Sequence, residues 1–392
     1  MAIALRYVTD KGNVVESFLG VEPVTSTTAS SLKCKIDAML SRHGLSISEC
    51  RGQGYDGASN MNGEFKGLKT LILRDNESTY YIHCFAHQLQ LALVAVAKKH
   101  SDISWFFNSV TNIVNIVGGS CKRHDDLVKA QAINVFKAIS DGELITGRGL
   151  NQETSIARAS DTRWGSHYAT LISLINMFAA VISVLELVRD DGLGDQKGVA
   201  CGLLFLMQQF DFIFNQHLMR KVLSMTSDLS QALQRKDQDI VNAMMLVKHS
   251  KIRLQTLRDN GWDSFLKEVT SFCNSYEVVV PKMEELYLAV GRSRHNNENT
   301  NLHHYRVELF YTVIDRQCNE LNERFTEATT ELLVCVACLS PVDSFSAFDK
   351  QKLIHLASFY PNDFSLMECF ALGDGLDAHI YMICATVMNF QV

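Results

Sequence analysis

Between residues 4 and 24 the apolar positions fall in two short β-prone groups. Leu5, Tyr7 and Val8 form the first, and Val14, Val15, Phe18, Leu19 and Val21 the second, on either side of Asp10-Lys11-Gly12-Asn13. Two such groups around a glycine-containing turn predict a hairpin. Residues 25–31 offer hydroxyl caps, and Leu32, Ile36, Met39 and Leu40 then recur at helical spacing until Gly44, so a helix follows. The stretch 47–55 predicts a third strand ending at the loop Asp56-Gly57-Ala58-Ser59-Asn60, and 65–73 returns to helical spacing. Tyr80, Tyr81 and Ile82 predict a short strand that runs into an almost wholly apolar helix over 86–97. Such a helix demands burial on nearly every side.

Past residue 100 the strand signal disappears. Ile103, Phe106, Phe107, Val110, Ile113 and Val117 mark one amphipathic helix, and Leu203, Leu206, Met207, Phe210, Ile213, Phe214 and Leu218 mark another. Further helices are predicted over 171–188, 240–258, 263–276, 305–325 and 331–339. The polar stretch 291–304 (GRSRHNNENTNLHH) predicts an exposed loop. Residues 365–392, which include the apolar run IYMICATVMNF, carry no turn or capping signal, and no element is predicted there. The pattern as a whole is α/β followed by all-α.

With 392 residues, 47% hydrophobic and 20% charged, the chain is long enough for two or three ordinary globular domains. The apolar run 203–214 is broken by Gln208, Gln209 and Asp211, short of the roughly 18 uninterrupted residues of a bilayer span. No membrane partner is expected. Without a basic stretch, apolar stretch and cleavage site at the N-terminus, export is not expected either. The eleven cysteines lack framework spacing and read as reduced thiols. Cys201, Cys273 and Cys318 are expected to be buried in helices. A net charge of -6 argues against indiscriminate coating of nucleic acid and leaves room for a local basic face.

Three segments could carry chemistry. Asp56, in RGQGYDGASNMNG, ends a predicted strand beside a glycine turn, where a carboxylate can be held rigidly as a metal ligand. Asp-Gly is also a common turn. His83, Cys84 and His87, in HCFAHQLQLAL, sit where the short strand meets the apolar helix, with Cys84 and His87 on one face. Zinc is one reading, but no partner pair lies nearby to complete four ligands. The other is a structural or phosphate-facing histidine. Arg163 and Trp164, in ASDTRWGSHYATL, could hold a phosphate and stack on an unpaired base, or serve as packing. The pair His303-His304 reads as solvated, and Cys335 and Cys338 in LLVCVACL read as buried thiols.

In order along the chain, YDGASNM, HCFAHQLQLAL, DTRWGSHY, TNLHHYRVELFYTVIDRQCNELNERF and FSAFDKQKLIHLASFYPNDF resemble the hAT superfamily of cut-and-paste DNA transposases. Within it they are most similar to the transposase-derived plant proteins described as MYM-type zinc-finger-like. The resemblance runs from about residue 4 to residue 364. It implies a partial RNase H-like core over 1–120 and a large helical insertion domain over 121–290. The exposed polar loop 291–304, a helical continuation over 305–364 and an unassigned tail over 365–392 follow.

By the resemblance, Asp56 is the second acid of a catalytic triad, a vestigial ligand for the Mg²⁺ that intact relatives use. Cys84 and His87 match the family's Cys-x-x-His signature beside the active site, and Trp164, with Arg163, the tryptophan that stacks on a flipped base. The first acid is expected before residue 4, and the Ser-x-Glu-Arg segment bearing the last acid finds no match after residue 361. Glu49 and Glu64 have no motif support as substitutes. The expectation is therefore a nuclear, transposase-derived pseudoenzyme without strand transfer that holds DNA and self-associates. The alternative is a helical scaffold for protein partners.

Overall fold

The computed structural model describes residues 1–11, 13–142, 144, 155–156, 158–159, 165–192, 194–233, 240–288, 299–325, 331–338 and 348–376. The chain divides into two compact units. The first is Met1–Gln88, Ala232–Met245 and Arg324–Val392; the second is Leu89–Gln231 and Leu246–Glu323.

The first unit opens with the hairpin, β1 (Ala2–Val8) against β2 (Val14–Val21), antiparallel with Ala4 opposite Phe18 and Arg6 opposite Glu16. Helix α1 (Ala29–Arg42) follows, and the chain leaves it through Gly44 at φ 70°, a left-handed conformation that favours glycine. The strand expected from residue 47 begins only at β3 (Gly52–Tyr55). Ser46 and Glu49 cap a short 3-10 turn, Ile47–Glu49. The Asn76 amide donates to the carbonyls of Ile47, Ser48 and Cys50 at 2.9, 3.2 and 2.8 Å, so these groups do not join a ladder. The short helix α2 (Ser59–Asn62) and α3 (Leu68–Asp75) replace the single helix expected over 65–73.

Strand β4 (Tyr80–His83) pairs parallel with β3, Tyr55 standing opposite His83, and leads into α4 (Phe85–Lys99). Ala29, Leu32, Leu68 and Ile72 form a small buried cluster between α1 and α3, which Lys33 also ties together by reaching Asp75 at 2.5 Å. Later parts of the chain return to this unit. Helices α14 (Glu331–Ala337) and α15 (Lys350–Ser358) pack together. Just beyond α15, the Tyr80 hydroxyl donates to Phe359 O at 3.1 Å, and Arg51 pairs with Asp363. Residues 366–376, left unassigned by the sequence, are helical.

The second unit is helical: α5 (Ser101–Val117), α6 (Cys121–Ser140), α7 (Gly165–Asn176), α8 (Phe178–Asp191), α9 (Asp195–Met207), α10 (Phe210–Ala232), α11 (Ile240–Asn260), α12 (Trp262–Ser275) and α13 (Thr312–Arg324), the outer ends of α10, α11 and α13 lying in the first. Two helices expected to be continuous are broken. The chain bends by 81° between α7 and α8 and by 73° between α9 and α10. At the second break the Gln209 N–H turns back to Leu206 O, three residues away, so apolar periodicity carries through a corner that it does not reveal. Phe106, Phe178, Phe212, Phe214, Phe265 and Phe310 fill the core.

Three expectations need correcting or qualifying. Cys201 is exposed and Cys318 half-buried, because each faces outward from its helix, while Cys273 is buried. His304, expected in solvent, is 5% exposed. Its ring stacks on Tyr287 at 3.6 Å and bonds Glu308 at 2.8 Å, at the start of a π-helical stretch, His303–Tyr311. Within the expected loop, residues 291–298 lie outside the described residues, and Thr300 bridges Leu286. Cys335 and Cys338 are buried, as expected. No single helix among the described residues is long and apolar enough to cross a membrane.

Candidate functional site

The register of β3 against β4 decides which side chains meet. With Tyr55 opposite His83, the residues just beyond both strands, Asp56 and Gly57 on one and Cys84 on the other, are neighbours. The backbone closes this junction. The Cys84 N–H donates to Tyr55 O at 3.0 Å, and the Tyr81 hydroxyl donates to Asp56 O at 3.0 Å. The Asp56 carboxylate is exposed and accepts weakly from the Ala58 N–H at 3.4 Å. A short turn thus aims the acid outward at the strand end.

Gly57 is there for space. A Cβ at this position would lie 2.5 Å from Cε1 of His83, so only glycine lets the imidazole lie flat on the chain after Asp56. The His83 ring stacks at 6.4 Å on Tyr81 and lies 5.5 Å from His87. Its Nε2 is buried without a hydrogen-bond partner among the described residues. Burial, then the neighbouring His87, holds His83 below the usual histidine value, against the pull of Asp56. At neutral pH it is an uncharged ring. Cys84 is exposed and His87 half-buried. Lys69 Nζ lies 5.5 Å over Tyr81, which places a cation beside the ring that holds the Asp56 backbone.

One carboxylate, two imidazoles and a thiol do not suit Mg²⁺, which takes oxygen ligands in octahedral geometry. A two-metal mechanism needs several carboxylates. Among the described residues no three of His, Cys, Asp or Glu are arranged to hold a metal ion. Glu49 is occupied in the capping box of its own turn, and Glu64 stands exposed.

The structure therefore brings Asp56, Cys84 and His87 to one edge. Arg163 and Trp164 lie outside the described residues. His83 is among the sequence candidates, whereas Gly57 and Tyr81 are not. The Asp-Gly step after a strand, with a histidine closing the partner strand, was the available signal.

Residues 1–67 match the family DUF4371, described as "ZMYM1/FAM200, RNase-like domain". The likeness is to a transposase-derived family. The chain is also 19% identical over 371 residues to the "52 kDa repressor of the inhibitor of the protein kinase" of Homo sapiens. That alignment covers 93% of this chain and 47% of the relative. The Mus musculus protein of the same name is 19% identical over 373 residues, with the same two coverages. The chain thus spans about half the length of the curated relatives it matches. No solved structure matches it.

Proposed function

We propose that this chain is a DNA-associated protein of hAT-transposase descent, nuclear and without strand-transfer activity of its own. On this reading the first unit is a partial RNase H-like core. The helical unit, which interrupts it in sequence, is the insertion domain. One observation carries the reading: Asp56 ends β3 directly against the β4–α4 junction bearing His83, Cys84 and His87, so two ordered motifs of the resemblance share one edge. The match of residues 1–67 to an RNase-like family supports it. The relatives carry the word repressor in their names, which favours a role in holding a target over one in cutting it. Asp56 is retained in this proposal as a vestigial acid, and Arg163 and Trp164 as further DNA contacts.

A second reading, a scaffold for protein partners, has its own observation. Ile133 and Phe136 stand 68% and 73% exposed on α6, the kind of apolar surface that protein interfaces use.

Fluorescence anisotropy of the whole chain with short single-stranded and duplex oligonucleotides separates the two. DNA association predicts binding that weakens about tenfold or more between roughly 50 and 200 mM salt. It also predicts no nicking with Mg²⁺ or Mn²⁺. Absence of binding at low salt favours the scaffold, and cleavage that disappears in Asp56→Asn contradicts the pseudoenzyme reading.

A further inference from the structure

The loop between α2 and α3 is built more tightly than a connection requires. The Gly67 N–H donates to Gly63 O at 3.0 Å. A Cβ at Gly67 would lie 2.3 Å from Gly63 N, and one at Gly63 would lie 2.9 Å from Ser59 O. Two glycines therefore close a loop that no other residue pair would allow. The Thr70 hydroxyl reaches the carbonyls of Gly63 and Glu64 at 3.0 and 2.9 Å, and Arg74 donates to Phe65 O at 3.1 Å. Leu68 and Ile72, in the buried cluster, anchor the helix that follows.

The tip so fixed is Glu64-Phe65-Lys66. Phe65 is 73% exposed and has no ring partner among the described residues. Its backbone is pinned, so the ring cannot fold back with the loop to cover itself. Nearby ion pairs use Lys33, Arg42 and Arg51. Lys66, Lys69 and Arg74 have no carboxylate partner among the described residues; of the two acids within 64–75, Glu64 and Asp75, the second is engaged by Lys33. In a chain of net charge -6 this is a local group of cations without carboxylate partners. Through Lys69 over Tyr81, and Tyr81 bonded to Asp56 O, it continues to the edge that carries the acid.

We propose that Phe65 is a stacking platform for an unpaired nucleic-acid base, with Lys66, Lys69 and Arg74 taking the adjoining phosphates. A single exposed aromatic ring on a pinned loop, beside cations that no carboxylate neutralises, fits a base and its backbone. A protein partner would call for a wider continuous apolar patch, and the residues flanking Phe65 are charged. The inference rests on the DNA-associated reading above and names the form of DNA that this loop selects.

The test uses the whole chain, a mixed-sequence single strand and its blunt duplex. Phe65→Ala is expected to weaken single-strand binding by about 5- to 150-fold and duplex binding by less than about twofold. Because the ring is exposed, thermal unfolding of this variant should match the parent. Phe65→Trp should retain the affinity, and its added fluorescence should be quenched by the single strand. If the parent binds DNA and Phe65→Ala binds single strands equally well, or loses both forms alike, the stacking role is overturned while DNA association stands. If the parent binds neither form, both fall together.

Discussion

In the helical unit Phe106, Phe178, Phe212, Phe214, Phe265 and Phe310 are each less than 2% exposed, whereas in the first unit Phe18, Phe65 and Phe370 stand 68%, 73% and 72% exposed. The helical unit closes its backbone hydrogen bonds locally and buries its rings against one another, so its stability comes from its own packing. Among the described residues the first unit has a small aliphatic cluster and two two-stranded sheets. Each sheet leaves edge backbone groups unpaired, and pairs of strands are marginal without further support. The helical unit has the larger ring core, although Ile133, Phe136 and Phe205 stand exposed on it too, and the first unit has the smaller core.

The largest effect that sharpens this contrast is expected at Phe265, whose ring lies 5.1 Å from Phe214 and 5.3 Å from Phe310. Phe265→Ala should cost the helical unit about 3–5 kcal/mol. Trp105, Trp164 and Trp262 are the chain's three tryptophans and all fall within Leu89–Gln231 or Leu246–Glu323. Tryptophan fluorescence during denaturant unfolding therefore reads this unit. A loss under about 1 kcal/mol would place the core elsewhere.

A middle-sized effect concerns Glu268 on α12. A hydrogen bond from His217, then one from Lys221 and the charge of Arg220, hold its carboxyl down to about 2 against the opposing effect of burial. A depressed acid stabilises the fold above its ordinary value of 4.5 and loses that contribution as pH falls towards about 2. Fluorescence-monitored stability should drop across this window by about 1–2 kcal/mol, allowing for solvent screening of a residue that is one-third exposed. Glu268→Gln should flatten the drop. An unchanged slope would mean that the four side chains act independently.

The smallest effect is expected at Phe18. It lies opposite Ala4 on the hairpin's open face, and Phe18→Ala should alter stability by no more than about 0.5 kcal/mol. A loss like that of Phe265→Ala, measured by the far-ultraviolet melt of the whole chain, would show the hairpin face to be covered and the contrast to be false.

Much of this was legible where one local rule dominates. The hairpin, α1 and the order strand, helix, strand, helix up to residue 99 follow from alternation, helical spacing and glycine stops. What escaped depends on partners distant in sequence. Asn76 holds the carbonyls that keep residues 47–50 out of β3, although Ser46-x-x-Glu49 is itself a readable capping box. His304 is buried by Tyr287 and Glu308, which its polar neighbours concealed. The helix breaks at Met177 and at Gln208-Gln209 lie inside continuous apolar patterns. At the candidate site, motif order singled out Asp56, Cys84 and His87 as candidates, but only the parallel register reveals that His83 lies on Gly57.

The edge formed by β3, β4 and the loop at Phe65 is the surface proposed to face nucleic acid. Photocrosslinking of the whole chain to a single strand carrying a photoreactive thymine analogue, followed by peptide mass spectrometry, tests it most directly. Crosslinked peptides from the segment between β3 and the start of α4 are the predicted result; crosslinks found solely within Leu89–Gln231 and Leu246–Glu323 would contradict it.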